Sequence, residues 1–429
     1  MKNNKSFDSS LQDVVYSLDV GIGLKILRGL LYFLLVLITL LIYQATQFHG
    51  LTSAEAMDLA QLGRNFSFQE GLVTKNISPM TIYEVEKFNQ TPEINNHPNL
   101  IHPPGYPILL SFGYKFFQTL GLDPFSLGGS IKMPAEQWVI IPLNHLFTLL
   151  TGCLIFSIGK HLFYREIGFL SMTIYFLSDI AWQTSISGLN LSMAIFFSTA
   201  AYRSIIISIR YNLEENNKTR FFLHFIYSII FSAIAFYSRF LSAFIVIGIL
   251  IYLWLCLGKF RGGTSYFFIY LILFLLLITP WLLRNYFISG NPFGFIFYTA
   301  LQDTVLYPDV TLLREYANEI SFKEISNELK QKWILNYSGA YQSLIPGVGG
   351  GLLISFFITT FFYKFIRPNI NYLRTSLGIC AIAFIFVAGF FSDSSISLIN
   401  MFWPFVIIFG LSFFYILLDR LNFSARLYV

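Results

Sequence analysis

Charge is what this sequence has least of. Only 12% of its 429 residues are Asp, Glu, Lys or Arg, against 55% hydrophobic, so the chain cannot clothe a water-soluble globule of its size in polar groups. Cysteine is nearly absent too. Cys153, Cys256 and Cys380 lie far apart inside apolar runs, which excludes a disulfide scaffold and leaves the redox compartment unread. No glycine-rich phosphate loop of the P-loop or dinucleotide kind occurs, so the common nucleotide-binding folds are excluded. There is no low-complexity tract, no similarity between halves and no separate soluble domain. The net charge of +5 comes from short basic loops and points to no nucleic-acid partner.

What is present is a series of apolar runs, each near the roughly 18 residues needed to cross a bilayer. They cover residues 29–46, 138–158, 167–181, 191–209, 221–237, 241–258, 265–281, 352–365, 376–391 and 402–418. Trp and Tyr gather at their ends, as interfacial belts require. The predicted fold class is therefore an all-α polytopic membrane protein, a bundle of about ten transmembrane helices. His145 and His224, inside apolar runs, read as hydrogen-bonded structural residues.

Residues 104–120 are apolar enough to cross or to lie flat. Basic residues decide between the two. With a flat helix there, Lys160, Arg165, Arg210, Lys218, Arg220, Lys259, Arg261, Lys364, Arg367, Arg374, Arg420 and Arg426 all face one side, which the positive-inside rule makes cytoplasmic. A spanning helix inverts every short loop. Pro103, Pro104, Pro107, Gly105, Gly113 and Lys115 also suit a surface helix. The predicted organisation is a cytoplasmic segment 1–28, a first span 29–46 and a first external loop 47–137 with interfacial helices. A central bundle 138–285, a second external loop 286–346, C-terminal spans 347–418 and a cytoplasmic tail 419–429 follow. The first run lacks a small-residue cleavage site, so an uncleaved helix with its N-terminus in the cytoplasm of an inner-membrane protein is expected.

External loops this long ask for a reason. The first contains EAMDLAQLGRNF, where Glu55 and Asp58 stand three residues apart and share a helix face, with Ser53 placed to cap it. Two acids near a helix start can simply favour its dipole. Next to a membrane span they can also reach the plane of lipid phosphates, where a carboxylate can act as general base toward a hydroxyl.

EAMDLAQLGRNF, then EGLVTKNISP, HPPGYPILLSFGYKFF and TPWLLRNYFISGNPF, in this order, resemble the GT-C glycosyltransferases. The likeness is to bacterial members of the protein O-mannosyltransferase and aminoarabinose transferase family, and it runs from about residue 30 to 292. It implies a GT-C-like bundle and a glycosyltransferase that moves a sugar from a polyprenyl-phosphate-linked donor to a lipid, glycan or protein acceptor on the external, periplasmic side. The family's usual course is inversion in a single displacement.

By that resemblance Glu55 or Asp58 is the base, and His102 occupies the family's basic position before Pro-Pro. Arg239, Arg284, Arg64 and Lys75 are candidate donor-phosphate contacts, and Asp303 and Tyr307 candidate acceptor contacts. For Arg239 and Arg284 the plain alternative is an arginine reaching lipid headgroups. No cofactor is firmly implied, and a divalent metal ion on the two acids and His102 is left open. SSISLINMFWPF lacks an arginine that some relatives carry. Two other classes stay open: a flippase or transporter of polyprenyl-linked glycans, which should place charges near the midplane, and a polymerase or ligase of lipid-linked glycans.

Overall fold

The computed structural model describes residues 22–88, 91, 93–126, 133–258, 263–308, 322–347, 351–391 and 400–420. Among these residues the architecture is helical and no strand forms; one isolated antiparallel bridge joins Val73 to Pro98. The chain divides into two compact units, residues 1–49 and 50–429. The first contains α1 (Ile22–Gln47), with a mean hydropathy of 2.4 over its apolar stretch.

The second unit opens with three short helices, α2 (Ala54–Ser67), α3 (Pro79–Lys87) and α4 (Gly105–Thr119). Five long apolar helices follow: α5 (Ile141–Leu162), α8 (Leu191–Leu213), α9 (Lys218–Ser238), α10 (Ala243–Leu257) and α11 (Gly263–Ser289). Between α5 and α8 lie α6 (Arg165–Leu177) and α7 (Asp179–Ile186). After α11 come α12 (Phe322–Gly347), α13 (Leu352–Thr360), α14 (Pro368–Ala388) and α15 (Trp403–Arg420). Among the described residues eight helices are long and apolar enough to cross a membrane. The protein is a multi-pass membrane protein.

Eight is fewer than the ten apolar runs. Run 167–181 is broken at Ser178, whose extended backbone (φ −79°, ψ 121°) ends α6 and starts α7, and Trp403 Nε1 donates to its Oγ at 3.1 Å. Run 352–365 holds only the nine residues of α13, because Arg374 Nη1 donates to the carbonyls of Thr360 and Tyr363 and so finishes the helix there. Run 104–120 forms α4, whose 15 residues reach about 22 Å, short of a full crossing.

Helices pack in the bundle through small residues, since lipid supplies no hydrophobic drive to bring them together. On the α8–α9 face Ser198, Ala201, Ser204, Ser208, Ser228 and Ser232 are all buried. Ser228 donates to Ala201 O at 2.9 Å, Ser208 to Phe221 O at 2.9 Å, and Tyr270 OH sits between Ser228 and Ser232 at 3.0 and 2.8 Å. The cysteines are all free, and Cys380 Sγ contacts Phe244 O at 2.9 Å. His145 departs from expectation: both ring nitrogens are buried without a hydrogen-bond partner among the described residues, and the ring meets Trp182 edge-on at 6.5 Å.

The short helices form a platform on one end of this bundle. A Cβ at Gly63 would lie 2.9 Å from Leu110 Cβ, and one at Gly105 would lie 2.7 Å from Tyr237 O. Only glycine lets α4 fit so closely between α2 and the end of α9. Tyr106 then pins α4 to the bundle, its hydroxyl donating to Asn144 Oδ1 at 3.1 Å and Gly188 O at 3.3 Å. Chain direction fixes what else lies at this end: the starts of α8 and α10 and the finishes of α9 and α11. Lys160, Arg165, Arg210, Lys218, Arg220, Lys364, Arg367 and Arg420 are at or near the opposite end.

Candidate active site

Ser53 begins α2 as a cap, its Oγ accepting from Ala56 N at 3.1 Å. One turn on, the helix presents Glu55 and Asp58 in different surroundings. Asp58 is buried, at 7% exposure. Its Oδ1 accepts from Thr74 Oγ1 at 2.9 Å, and its Oδ2 pairs with His102 Nε2 at 2.9 Å. Glu55 keeps 31% of its side chain open, and its Oε1 stands 3.8 Å from Arg239 Nη1. One acid thus has both oxygens engaged by protein partners, and the other is open on one side to something outside.

His102 lies in the HPP motif, where α4 begins. Burial opposes its charge, but the hydrogen bond and negative charge of Asp58, with Glu55 adding, outweigh burial and raise its pKa above the usual histidine value. The imidazole is therefore held toward the protonated form.

Arg239 ends α9 in extended backbone and is 8% exposed. Its Nη1 donates to Asn190 Oδ1 at 3.2 Å, and Asn190 Nδ2 donates to Ser238 O at 2.7 Å. Arg284, near the finish of α11, donates from Nη1 to Asn99 O at 2.6 Å and to Asn285 Oδ1 at 2.9 Å. Its guanidinium lies over the Trp281 ring at 4.5 Å, a stacking that holds the planar fork in place.

Asn99 joins these pieces. It is 1% exposed, and its Oδ1 accepts from Ile101 N at 3.2 Å and His102 N at 3.1 Å, while its Nδ2 donates to His102 O at 2.7 Å. Its own N–H donates to Leu72 O at 2.9 Å, and two residues away Thr74 N donates to His97 O at 2.8 Å. One asparagine thereby carries the backbone of His102, a carbonyl for Arg284 and the strap that brings Thr74 to Asp58. Sequence reading passed over Asn99, Thr74 and Asn190. The one available signal was the side chain of an asparagine that accepts from backbone N–H groups two and three residues ahead.

The structure brings Glu55, Asp58, His102 and Arg239 together, and Asn99 connects Arg284 to His102. Arg64 is elsewhere: nine residues along α2 from Glu55, about 13 Å, with its guanidinium over Phe125 at 4.8 Å. Lys75 is exposed and donates to Asn95 O at 2.9 Å. Asp303 and Tyr307 belong to a separate cluster on the second loop. Tyr307 is buried beside Leu301, and Asp303 lines a cavity of about 280 Å³ with Glu328 and Lys332. Lys332 Nζ donates to Ala300 O and Gln302 O at 2.8 and 2.5 Å. Burial lowers its pKa to about 8 against the opposing charge of Asp303.

Among the described residues no group of three or more His, Cys, Asp or Glu side chains is arranged to hold a metal ion. Asp58 and His102 are engaged with each other, and Glu55 faces Arg239.

No protein-family model matches the chain, and no curated protein sequence matches it significantly. Among solved structures, ArnT from Cupriavidus metallidurans in the apo state is similar with a TM-score of 0.52 at 10% identity, covering 90% of this chain and 60% of that one. The Archaeoglobus fulgidus oligosaccharyltransferase, solved with zinc and sulfate, aligns at 12% identity over 86% of this chain and 50% of that one. Its TM-score is 0.48. This chain thus matches about three-fifths of the length of ArnT, an aminoarabinose transferase. The likeness fixes the architecture: the chain has a GT-C-like fold.

Proposed function

We propose that this protein is a membrane glycosyltransferase that takes a sugar from a polyprenyl-phosphate-linked donor and delivers it, with inversion, to an acceptor at the external face. One observation supports this reading above the rest. A half-open carboxylate, Glu55, adjoins the buried Asp58–His102 pair and Arg239 at one end of a membrane bundle. The basic helix ends at the opposite face support a cytoplasmic N-terminus and an inner-membrane setting.

In the proposed step Glu55 accepts the proton of the acceptor hydroxyl as that oxygen bonds to the anomeric carbon. The bond from that carbon to the phosphate oxygen breaks, and polyprenyl phosphate departs with the electron pair. Asp58 is the positioning acid: it keeps His102 protonated. His102, Arg239 and Arg284 balance the charge that grows on the leaving phosphate, the place where preorganised donors do most for rate. Arg64 and Lys75, tied to aromatic rings and a backbone carbonyl, are left the outer role of meeting donor headgroup or acceptor. The cavity at Asp303 and Lys332 is the proposed acceptor side. A lipid, a glycan and a protein all offer the required hydroxyl. A divalent ion would have to displace the bond between Asp58 and His102 to enter, so adding a chelator to the assay tests it directly.

The deciding experiment is mass spectrometry of cell-envelope glycans with and without the gene. Loss of one sugar from one product, restored by the wild-type chain, is the expected outcome. An unchanged glycan profile together with failure to consume any polyprenyl-phosphate sugar in membranes would overturn the proposal.

His102 sets a pH dependence. Its pKa is raised in the folded protein, so the stability it contributes is fully present below about 6.5, the free-histidine value, and is lost as pH climbs through the raised folded value. Transfer should fall over the same alkaline interval as the imidazolium loses its proton. His102→Gln should remove that limb from both the thermal-midpoint and the kcat/KM profiles. Persistence of the limb in the variant would show that another group titrates there.

A further inference from the structure

Most of the basic side chains described above stand at helix ends or in loops. Arg203 does not. It lies on α8 ten residues before the finish at Leu213 and twelve after the start at Leu191, about 15 and 18 Å from the two ends. Arg203 extends from there back toward the finish of α5, where Ser157 stands five residues before Leu162, and a guanidinium below the headgroups still needs a partner of opposite charge or a path to water. Its Nε donates to Ser157 Oγ at 2.7 Å, a neutral hydroxyl. Among the described residues no carboxylate is within ion-pair distance of it.

Near Arg203 stand one more fixed positive charge, Arg220, and two imidazoles. His224 on α9 lies in the electrostatic field of Arg203, Arg220 and His161, and its Nδ1 is buried with no hydrogen-bond partner among the described residues. His161, a turn beyond Ser157 on α5, has its Nδ1 2.6 Å from Ser157 O. Tyr211 covers the His224 ring at 5.6 Å, nearly parallel, and Arg220 lies over Tyr211 at 5.4 Å. Beside this cluster the outer face of α9 is bare and apolar: Leu223 and Ile226 are each 48% exposed. A soluble anion would find no water path suited to that face, whereas acyl chains fit it.

We propose that Arg203, with His161, His224 and Arg220, forms a binding site for the phosphate of a net-anionic phospholipid in the leaflet away from Glu55. The phosphate supplies the missing counter-charge, and the acyl chains lie along Leu223 and Ile226. A zwitterionic lipid fits less well, because Arg203 and Arg220 offer its ammonium no counter-charge. This site is independent of the transferase reading and lies toward the other end of the bundle.

The test uses the full chain in nanodiscs of phosphatidylcholine with or without one-fifth phosphatidylglycerol, with native mass spectrometry counting retained lipids. Wild type should retain phosphatidylglycerol through delipidation, and its unfolding midpoint should rise in the mixed discs. Inorganic phosphate should produce no such rise in pure phosphatidylcholine. Arg203→Gln should weaken phosphatidylglycerol retention roughly tenfold, the size of one lost charge-assisted bond, while Arg203→Lys keeps most of it. Equal retention by wild type and Arg203→Gln would overturn the site, and so would a midpoint shift reproduced by free phosphate. Should Arg203→Gln not fold, the wild-type measurement decides alone: no phosphatidylglycerol-specific rise means no site.

Discussion

Glu55→Gln is expected to lower sugar transfer by roughly 10² to 10⁴, the worth of a positioned general base, while leaving the fold intact. The fold should survive because Glu55 is partly open and stands 3.8 Å from Arg239, beyond hydrogen-bond length. Arg239 also keeps its bond to Asn190. Asp58→Asn should behave differently. It replaces the charge that holds His102 protonated, inside a buried pair, so stability and transfer should fall together. Purified variants would be compared for thermal midpoint and for turnover with a polyprenyl-phosphate sugar. Full turnover by Glu55→Gln alongside a stable but inactive Asp58→Asn would exchange the two roles; full turnover by both would end the carboxylate mechanism.

Asn99→Ala should have the second largest effect, although Asn99 reacts with nothing. The alanine leaves the N–H groups of Ile101 and His102 and the carbonyl of His102 without the side chain that serves them. Each buried group left unpaired costs about 1–3 kcal/mol. The loop can relax to recover part of that, and in doing so it should move His102 away from Asp58 and the Asn99 carbonyl away from Arg284. Transfer is expected to drop by more than about tenfold even where the variant remains folded, since a displacement of about 1 Å can cost roughly 10² in rate. The informative readout is the alkaline limb assigned to His102: it should shift or vanish in Asn99→Ala. A variant that is less stable but keeps the wild-type pH profile would reduce Asn99 to a purely structural role.

Arg203 bears on the alternatives that the sequence left open. In the sequence the suggestive charges cluster on one external surface, which argues against a transporter. A single arginine within an otherwise apolar helix, with no acid three or four residues away, leaves little trace in a hydropathy average. Its depth is visible only once α8 has both ends. Even so, it stands alone in mid-helix among the basic residues discussed, and the sequence has no similarity between halves, so it suits a lipid site better than a transport path.

By itself the sequence determined the class of this protein, the existence of most spans, the capped acid helix and the basic bias of one face. All of these are written in local composition and in repeats of a few residues, and a helix satisfies its own backbone whatever lies beside it. Only the tertiary structure decided that, among the described residues, eight helices are long and apolar enough to cross where the sequence has ten apolar runs, because contacts at Ser178 and Arg374 end two of them. It alone paired Asp58 with His102, Glu55 with Arg239, and Arg284 with a carbonyl 185 residues away. Such pairings depend on which helix ends meet once glycines let α2, α4 and α9 close on one another, and sequence spacing holds no record of that.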